Sequence, residues 1–263
     1  MTPVSRLGII AAMDEEFSLI ADSFGQGVAK KIGPRDFLSV SHQGLDLVLV
    51  RSRIGKVAAA SAATLLLHEF ECDALLFTGV AGGVHSSVGI GDIVVAEALV
   101  QHDMDIKGVL GYQRFEIPLV GGPLLAACSF LTEVAQNAAR AVIADPRYRH
   151  AAEEFSPRPP LTHRGVIASG DTFVCSQDER NELSAAISNL LCVEMEGAAV
   201  AQVCVEHQVP FAVLRIVSDV ADGDAHIDFP RFIKSAAAVG SEMLVRQFVQ
   251  QLRPAAQRPT AGR

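Results

Sequence analysis

The chain has 263 residues, 49% of them hydrophobic, with a net charge of −8. That length fits one large α/β domain or two small ones and supports a sizeable core. The negative charge opposes a phosphate backbone, so no nucleic-acid partner is expected. No apolar run reaches the ~18 residues of a membrane span, so no membrane partner is expected either. The N-terminus shows no basic region, apolar stretch and cleavage site. Its apolar run over 7–12 is short, and Asp14-Glu15-Glu16 follows at once, which makes a cytoplasmic location the expectation. The cysteines (Cys72, Cys128, Cys175, Cys192 and Cys204) are scattered and show no CxxC spacing. They read as reduced, structural residues.

In chain order, residues 7–12 read as a short buried strand and 14–24 as a helix led by acids. A strand over 45–53 precedes an alanine- and leucine-rich helix over 56–70. The apolar strand 73–78 stops in Gly79-Val80-Ala81-Gly82-Gly83, read here as a loop. A strand over 92–100 and a long helix over 123–143 follow. Further strands are expected at 164–169, 191–193 and 211–217, with helices at 177–187, 196–207 and 229–252. Apolar strands separated by helices indicate an α/β fold whose central sheet is covered on both faces. A single domain over 1–252 is expected. The stretch 145–160, with four prolines and many charges, reads as a proline-rich surface insertion in the form of a mobile loop without a catalytic role. Residues 253–263 read as a flexible tail.

Ligands in open α/β sheets gather beyond the carboxyl ends of strands. Three acidic segments fall at such ends: Asp14-Glu15-Glu16, Glu194-Met195-Glu196 and Ser218-Asp219. Taken singly, each also reads as a helix-terminal acid or a turn cap. Brought together around one cleft, they suit cleavage of a glycosidic bond, which needs an acid for the leaving group and a base for water. Carboxyl groups in unlike environments supply both roles.

Other motifs fail on inspection. Gly55-Lys56 lacks the remaining residues of a P-loop, and 79–83 does not spell GxGxxG. His102-Asp103-Met104-Asp105 has metal-ligand residue types without a partner cluster, so no metal is expected. There is no GxSxG elbow, and Ser169 and Cys175 have no nearby histidine to form a triad.

One ordered series of segments goes further. It comprises Ala12-Met13-Asp14-Glu15-Glu16, Ile54-Gly55-Lys56-Val57, Thr78-Gly79-Val80-Ala81-Gly82-Gly83 and Gly91-Asp92-Ile93-Val94-Val95. Ser169-Gly170-Asp171-Thr172-Phe173, Val193-Glu194-Met195-Glu196-Gly197 and Ser218-Asp219-Val220-Ala221-Asp222 complete it. Together these closely resemble the 5′-methylthioadenosine/S-adenosylhomocysteine nucleosidases, within the purine nucleoside and uridine phosphorylase superfamily. The resemblance implies a mixed, partly barrel-like central sheet surrounded by helices, an adenine-nucleoside substrate, no cofactor and a homodimer. It implies Glu16 as the base that activates water and Asp219, steadied by Ser218, as the acid for adenine N7. Glu196 matches the residue that binds the ribose hydroxyls, with Met195 against the sugar and Arg215 nearby. Val80, Ala81 and Gly82 fall beside the sugar, and Val80 stands where the family commonly has Ser. Phe173 matches the purine's stacking partner, and the backbone of Val174 its edge reader. Met13, Ile54 and Phe229 fall in the 5′-alkylthio pocket. The loop after Asp105 falls where the family completes the neighbouring subunit's pocket.

Alternatives are a phosphorylase, a futalosine-type nucleosidase and a silent adenine-nucleoside-binding module. A phosphorylase needs an anion site near the N-terminus, where this chain offers Asp14-Glu15-Glu16, which repel phosphate. A binding module has no need of both an acid and a base.

Overall fold

The computed structural model describes residues 4–118, 120–219 and 225–252, with the side chains of 225–228 left out of account. Residues 220–222 of the last motif and the tail 253–263 lie outside the described residues. The elements in order are β1 (Arg6–Ala11), α1 (Asp14–Phe24), β2 (Val28–Ile32), β3 (Arg35–His42), β4 (Leu45–Arg51), α2 (Lys56–His68), β5 (Ala74–Thr78), β6 (Val80–Gly83) and β7 (Ile93–Gln101). There follow β8 (Leu125–Ala126), α3 (Ser129–Ala144), α4 (Pro146–Glu153), β9 (Thr162–Ser169), α5 (Gln177–Ala186), β10 (Leu190–Glu194), α6 (Gly197–Glu206) and β11 (Phe211–Asp219). The chain ends in α7 (Ala225–Phe232), a π-helical turn (Ile233–Ala237) and α8 (Ala238–Gln251). No helix among the described residues is long and apolar enough to cross a membrane.

The strands form one mixed sheet in the order β2-β3-β4-β1-β5-β11-β6-β10-β9-β7-β8. An extra pairing of β11 with β7 closes β11, β6, β10, β9 and β7 into a small barrel. All nine residues of β11 are buried, because it serves both halves of the sheet. Phe211–Val213 pair with β5, whereas Leu214–Ile216 pair with β7 and Ile216 onward with β6. The register shifts between Val217 and Asp219. Such a bulge re-aims side chains, and here it falls at the acidic end of the strand.

The period-2 alternation of strands divides the core between two faces. Leu7, Ile9, Leu47 and Leu49 face a cluster closed by α1, α3 and α8. Ile10, Val48 and Val50 face the opposite cluster under α2 and α6. Ala59, Ala62 and Ala63 of α2, with Ala198 and Ala201 of α6, are fully buried, and their small side chains let these helices approach the sheet and each other. At ~25 cal/mol per Å² of apolar area, burial of this kind is the main favourable term of the fold.

The structure corrects several expectations. Residues 28–42 form a hairpin that the polar, charged sequence hid, because β2 is an exposed edge strand. Residues 80–83 form β6, not a loop, because neighbours on both sides supply hydrogen-bond partners to its backbone. The helix expected over 123–143 begins at Ser129, since Leu125 and Ala126 pair with β7 instead. The last helix begins at Ala225 and widens into a π turn just after Pro230, which has no N–H to return to the preceding turn.

The segment 145–160, expected as a loop, is half helix: Pro146–Glu153 form α4. Asp145 caps α4 by accepting from Arg147 N, and Pro146 takes the first helical turn, where its missing N–H costs nothing. Tyr148 is fully buried and donates its hydroxyl to Gly91 O at 2.7 Å. Farther on, Arg158 donates to the buried carboxylate of Asp92 at 2.5 Å, and His163 and Leu161 N lie 2.8 Å from the same carboxylate. Burial alone would raise the pKa of Asp92, but these hydrogen bonds hold it below the usual carboxylate range.

Candidate active site

A cleft of about 170 Å³ opens where β1, β5, β10 and β11 end and β6 begins. It is lined by Met13, Glu16, Ile54, Val80, Ala81, Gly82, Phe173, Val174, Met195, Glu196, Arg215, Ser218, Asp219 and Phe229. Every site residue named from the sequence is therefore brought to the same place.

Glu16 lies on the first turn of α1, directly after β1, and is completely buried. Its Oε2 accepts from Met13 N at 3.3 Å, while the buried Oε1 makes no hydrogen bond. Burial raises its pKa from 4.5 to about 7. The charge of Arg215 and the amides of Met13, Val80 and Ala12 act the other way and limit the rise. Gly79 lets Glu16 in: a Cβ there would stand 3.3 Å from Glu16 Oε1 and 3.6 Å from Arg215 Nη1.

Asp219 ends β11, buried, and Ser218 Oγ lies 2.8 Å from its Oδ2 and 3.3 Å from Ala81 O. A Cβ on Gly82 would stand 3.1 Å from Asp219 Oδ1. Glu16 thus abuts Gly79 and Asp219 abuts Gly82. Both carboxyl groups line the same cleft.

Glu196 sits at the entry to α6 and accepts from Gly55 N through Oε1 at 2.8 Å. Burial, followed by the charge of Glu194, raises its pKa. Glu194 has a different task. It accepts from Arg215 Nη2 at 2.5 Å and Nε at 3.2 Å, and from the N–H groups of Glu196 at 3.1 Å and Gly197 at 2.8 Å. The Ser169 hydroxyl donates to its other oxygen. Both members of the Glu194–Arg215 pair are almost completely buried, and the guanidinium lies 4.0 Å from the centre of the Phe77 ring. At the mouth, Phe173 stands edge-on to Phe229 with centroids 6.4 Å apart, and 42% of Phe173 is exposed.

The arrangement pairs a buried carboxyl group titrating near neutrality with a second carboxyl group hydrogen-bonded by serine. Between them lies an apolar cleft with an aromatic mouth. This is equipment for proton transfer to and from a ligand held in the cleft. The phosphorylase superfamily model matches residues 6–250. The 5′-methylthioadenosine/S-adenosylhomocysteine nucleosidase of Bacillus subtilis (strain 168) is 32% identical over 242 residues, spanning 92% of this chain and 97% of that protein. The corresponding enzyme of Staphylococcus saprophyticus is 33% identical over 248 residues, spanning 91% and 97%.

The chain belongs to the 5′-methylthioadenosine/S-adenosylhomocysteine nucleosidases of the phosphorylase superfamily.

Solved structures agree in fold. The nucleosidase of Neisseria meningitidis in complex with methylthio-immucillin-A superposes with a TM-score of 0.83 at 31% identity, covering 94% of this chain and 99% of that one. Futalosine hydrolase of Helicobacter pylori strain 26695 gives 0.81 at 31% identity, covering 94% and 98%. Read as a nucleosidase cleft, the site also includes residues that sequence reasoning gave no role: Ala12, Thr78, Gly79, Thr172, Val193 and Glu194. Glu194 stands inside a quoted motif, two residues before Glu196. Only the adjacency of β10, β6 and β11 reveals it as the counter-ion of Arg215. The His102 ring packs against Gly170, and Asp103 pairs with Lys56 at 2.6 Å and accepts from Asp171 N at 2.9 Å.

Proposed function

We propose that this enzyme hydrolyses the N-glycosidic bond of 5′-methylthioadenosine and S-adenosylhomocysteine, releasing adenine and a 5-thioribose sugar. The observation that carries this reading is Glu16, a completely buried carboxyl group with its pKa raised to about 7 and Oε1 unengaged at the cleft. Glu16 removes a proton from water as the water attacks the anomeric carbon. Asp219 delivers a proton to adenine N7, so the base leaves neutral instead of as an anion. Glu196 holds the ribose hydroxyls, Met195 packs against the sugar, and Arg215 sits beside it. Phe173 stacks on the purine, Val174 reads its edge through the backbone, and Met13, Ile54 and Phe229 enclose the 5′ substituent. The carboxylates stabilise the positive charge that develops on the sugar in the transition state.

The acids that favour a cationic sugar also disfavour phosphate, so turnover is independent of phosphate. Incubating the protein with 5′-methylthioadenosine, with and without phosphate, and identifying the sugar by chromatography tests this. A sugar 1-phosphate, or adenine released only when phosphate is present, would overturn the hydrolase reading.

We also infer a cytoplasmic homodimer. The free cysteines support a reducing compartment. An exposed apolar side chain supports self-association: Leu110, in the loop after Asp105, is 91% exposed.

A further inference from the structure

A second, open depression adjoins the cleft, and Ile54 lines both. Its walls carry Arg35 from β3 and Arg53 from the turn between β4 and α2, together with Gly55, Val57 and Asp171. Arg35 donates Nη2 to Ala58 O at 3.1 Å, and its buried Nε has no partner. Arg53 donates Nη2 to Pro34 O at 3.0 Å. Neither guanidinium is in an ion pair among the described residues, although the two are close enough for Arg53, after burial, to lower the pKa of Arg35. Two like charges without a counter-ion, opening on one groove, form an anion-binding arrangement. Arg53 also holds a left-handed backbone with φ of 73°, which any residue with a Cβ disfavours and which glycine would adopt freely.

The adjoining carboxylate of Asp171 already accepts from Lys56 N at 2.8 Å, at the first turn of α2. It leaves the arginines unneutralised, and its charge favours a monoanion over a phosphate dianion in the same groove. The groove begins at Ile54, on the side of the cleft assigned to the 5′ substituent.

We propose that Arg35 and Arg53 bind a carboxylate at the end of a long 5′ substituent, making this groove the determinant of preference for acid-tailed nucleosides over uncharged ones. The proposal rests on the nucleosidase reading and adds to it the chemistry of the tail. A terminal carboxylate reaches past Ile54 to the guanidinium pair, whereas a methylthio group ends at Ile54 and leaves the arginines in water.

The test compares 5′-methylthioadenosine, 5′-(carboxypropylthio)adenosine and the primary amide of the latter, using the full chain and its Arg35→Gln and Arg53→Gln variants. The wild type is expected to favour the acid over the amide by about tenfold, through KM, equivalent to about 1.4 kcal/mol. Each substitution should bring that ratio towards one while leaving 5′-methylthioadenosine turnover within about twofold, and high salt should shrink the wild-type ratio. A wild-type ratio near one, or variants that lose all three substrates equally, would overturn the proposal. Adenine release from 5′-methylthioadenosine is read separately. A wild type that hydrolyses it with a ratio of one sinks only the groove, whereas no adenine from any of the three sinks both readings.

Discussion

Replacing Glu16 with glutamine separates the activity of this carboxyl group from its effect on stability. Its pKa is raised by burial from 4.5 to about 7, so between those values the folded chain holds a proton that the unfolded chain has released. The folded state binds more protons in that window, and its stability therefore falls as pH rises from about 4.5 to about 7. The loss is complete above pH 7 and is recovered as pH falls towards the unfolded value. A shift of this size corresponds to about 3 kcal/mol in total, of which about 2–3 kcal/mol develops between pH 5 and pH 8. Glutamine carries no charge at either pH, and any cost of placing its amide at the buried Oε1 position is the same at both. Glu196, also raised by burial, is present in both proteins and cancels to first order. Relative to wild type, Glu16→Gln should thus gain about 5–10 °C in Tm on going from pH 5 to pH 8, while hydrolysis is lost. Scanning calorimetry of both proteins at the two pH values measures this directly. In the wild type, kcat/KM should rise with pH through about 7 as the base ionises. A Tm difference that is equal at pH 5 and pH 8 would refute the argument that burial strains this carboxylate.

Asp219→Asn should lower kcat by about 10²–10⁴, with inhibitor Kd and Tm little changed, because asparagine keeps the shape but cannot transfer a proton; near-wild-type kcat would remove Asp219 from the mechanism. Glu194→Ala should destabilise by about 3–5 kcal/mol in urea titrations, because it leaves the Arg215 guanidinium buried without its counter-ion; a loss under about 1 kcal/mol would show that water reaches the pair. Tyr148→Ala should cost about 3–5 kcal/mol, as expected for emptying a buried aromatic site; a neutral result would return the segment 145–160 to the status of a surface appendage.

The parts of the fold that were legible in the sequence are those whose two faces are both covered. β1, β5 and β11 are buried almost throughout and mainly apolar, so their apolar runs read as strands without help from context. The edge hairpin of β2 and β3 was hidden because exposed edges carry charge, here Lys30, Lys31 and Asp36. In α4 the signal was present, with Asp145 as cap and Pro146 behind it, but it was outweighed by the later prolines. The cleft was legible for a different reason: an acid at one strand end also serves as a cap, but Glu16, Glu196 and Asp219 fall at three such ends within one ordered series of motifs. What linear order hides is which acid is paired. Glu194 and Glu196 are two residues apart and chemically identical, yet one is anchored to Arg215 and the other accepts a single backbone N–H from Gly55. That difference arises only when β11 carries Arg215 into the closed barrel beside β10. Closure of the barrel therefore decides which carboxylate is spent on structure and which remains for a sugar, and it also places one positive charge close enough to keep Glu16 from titrating far above neutrality.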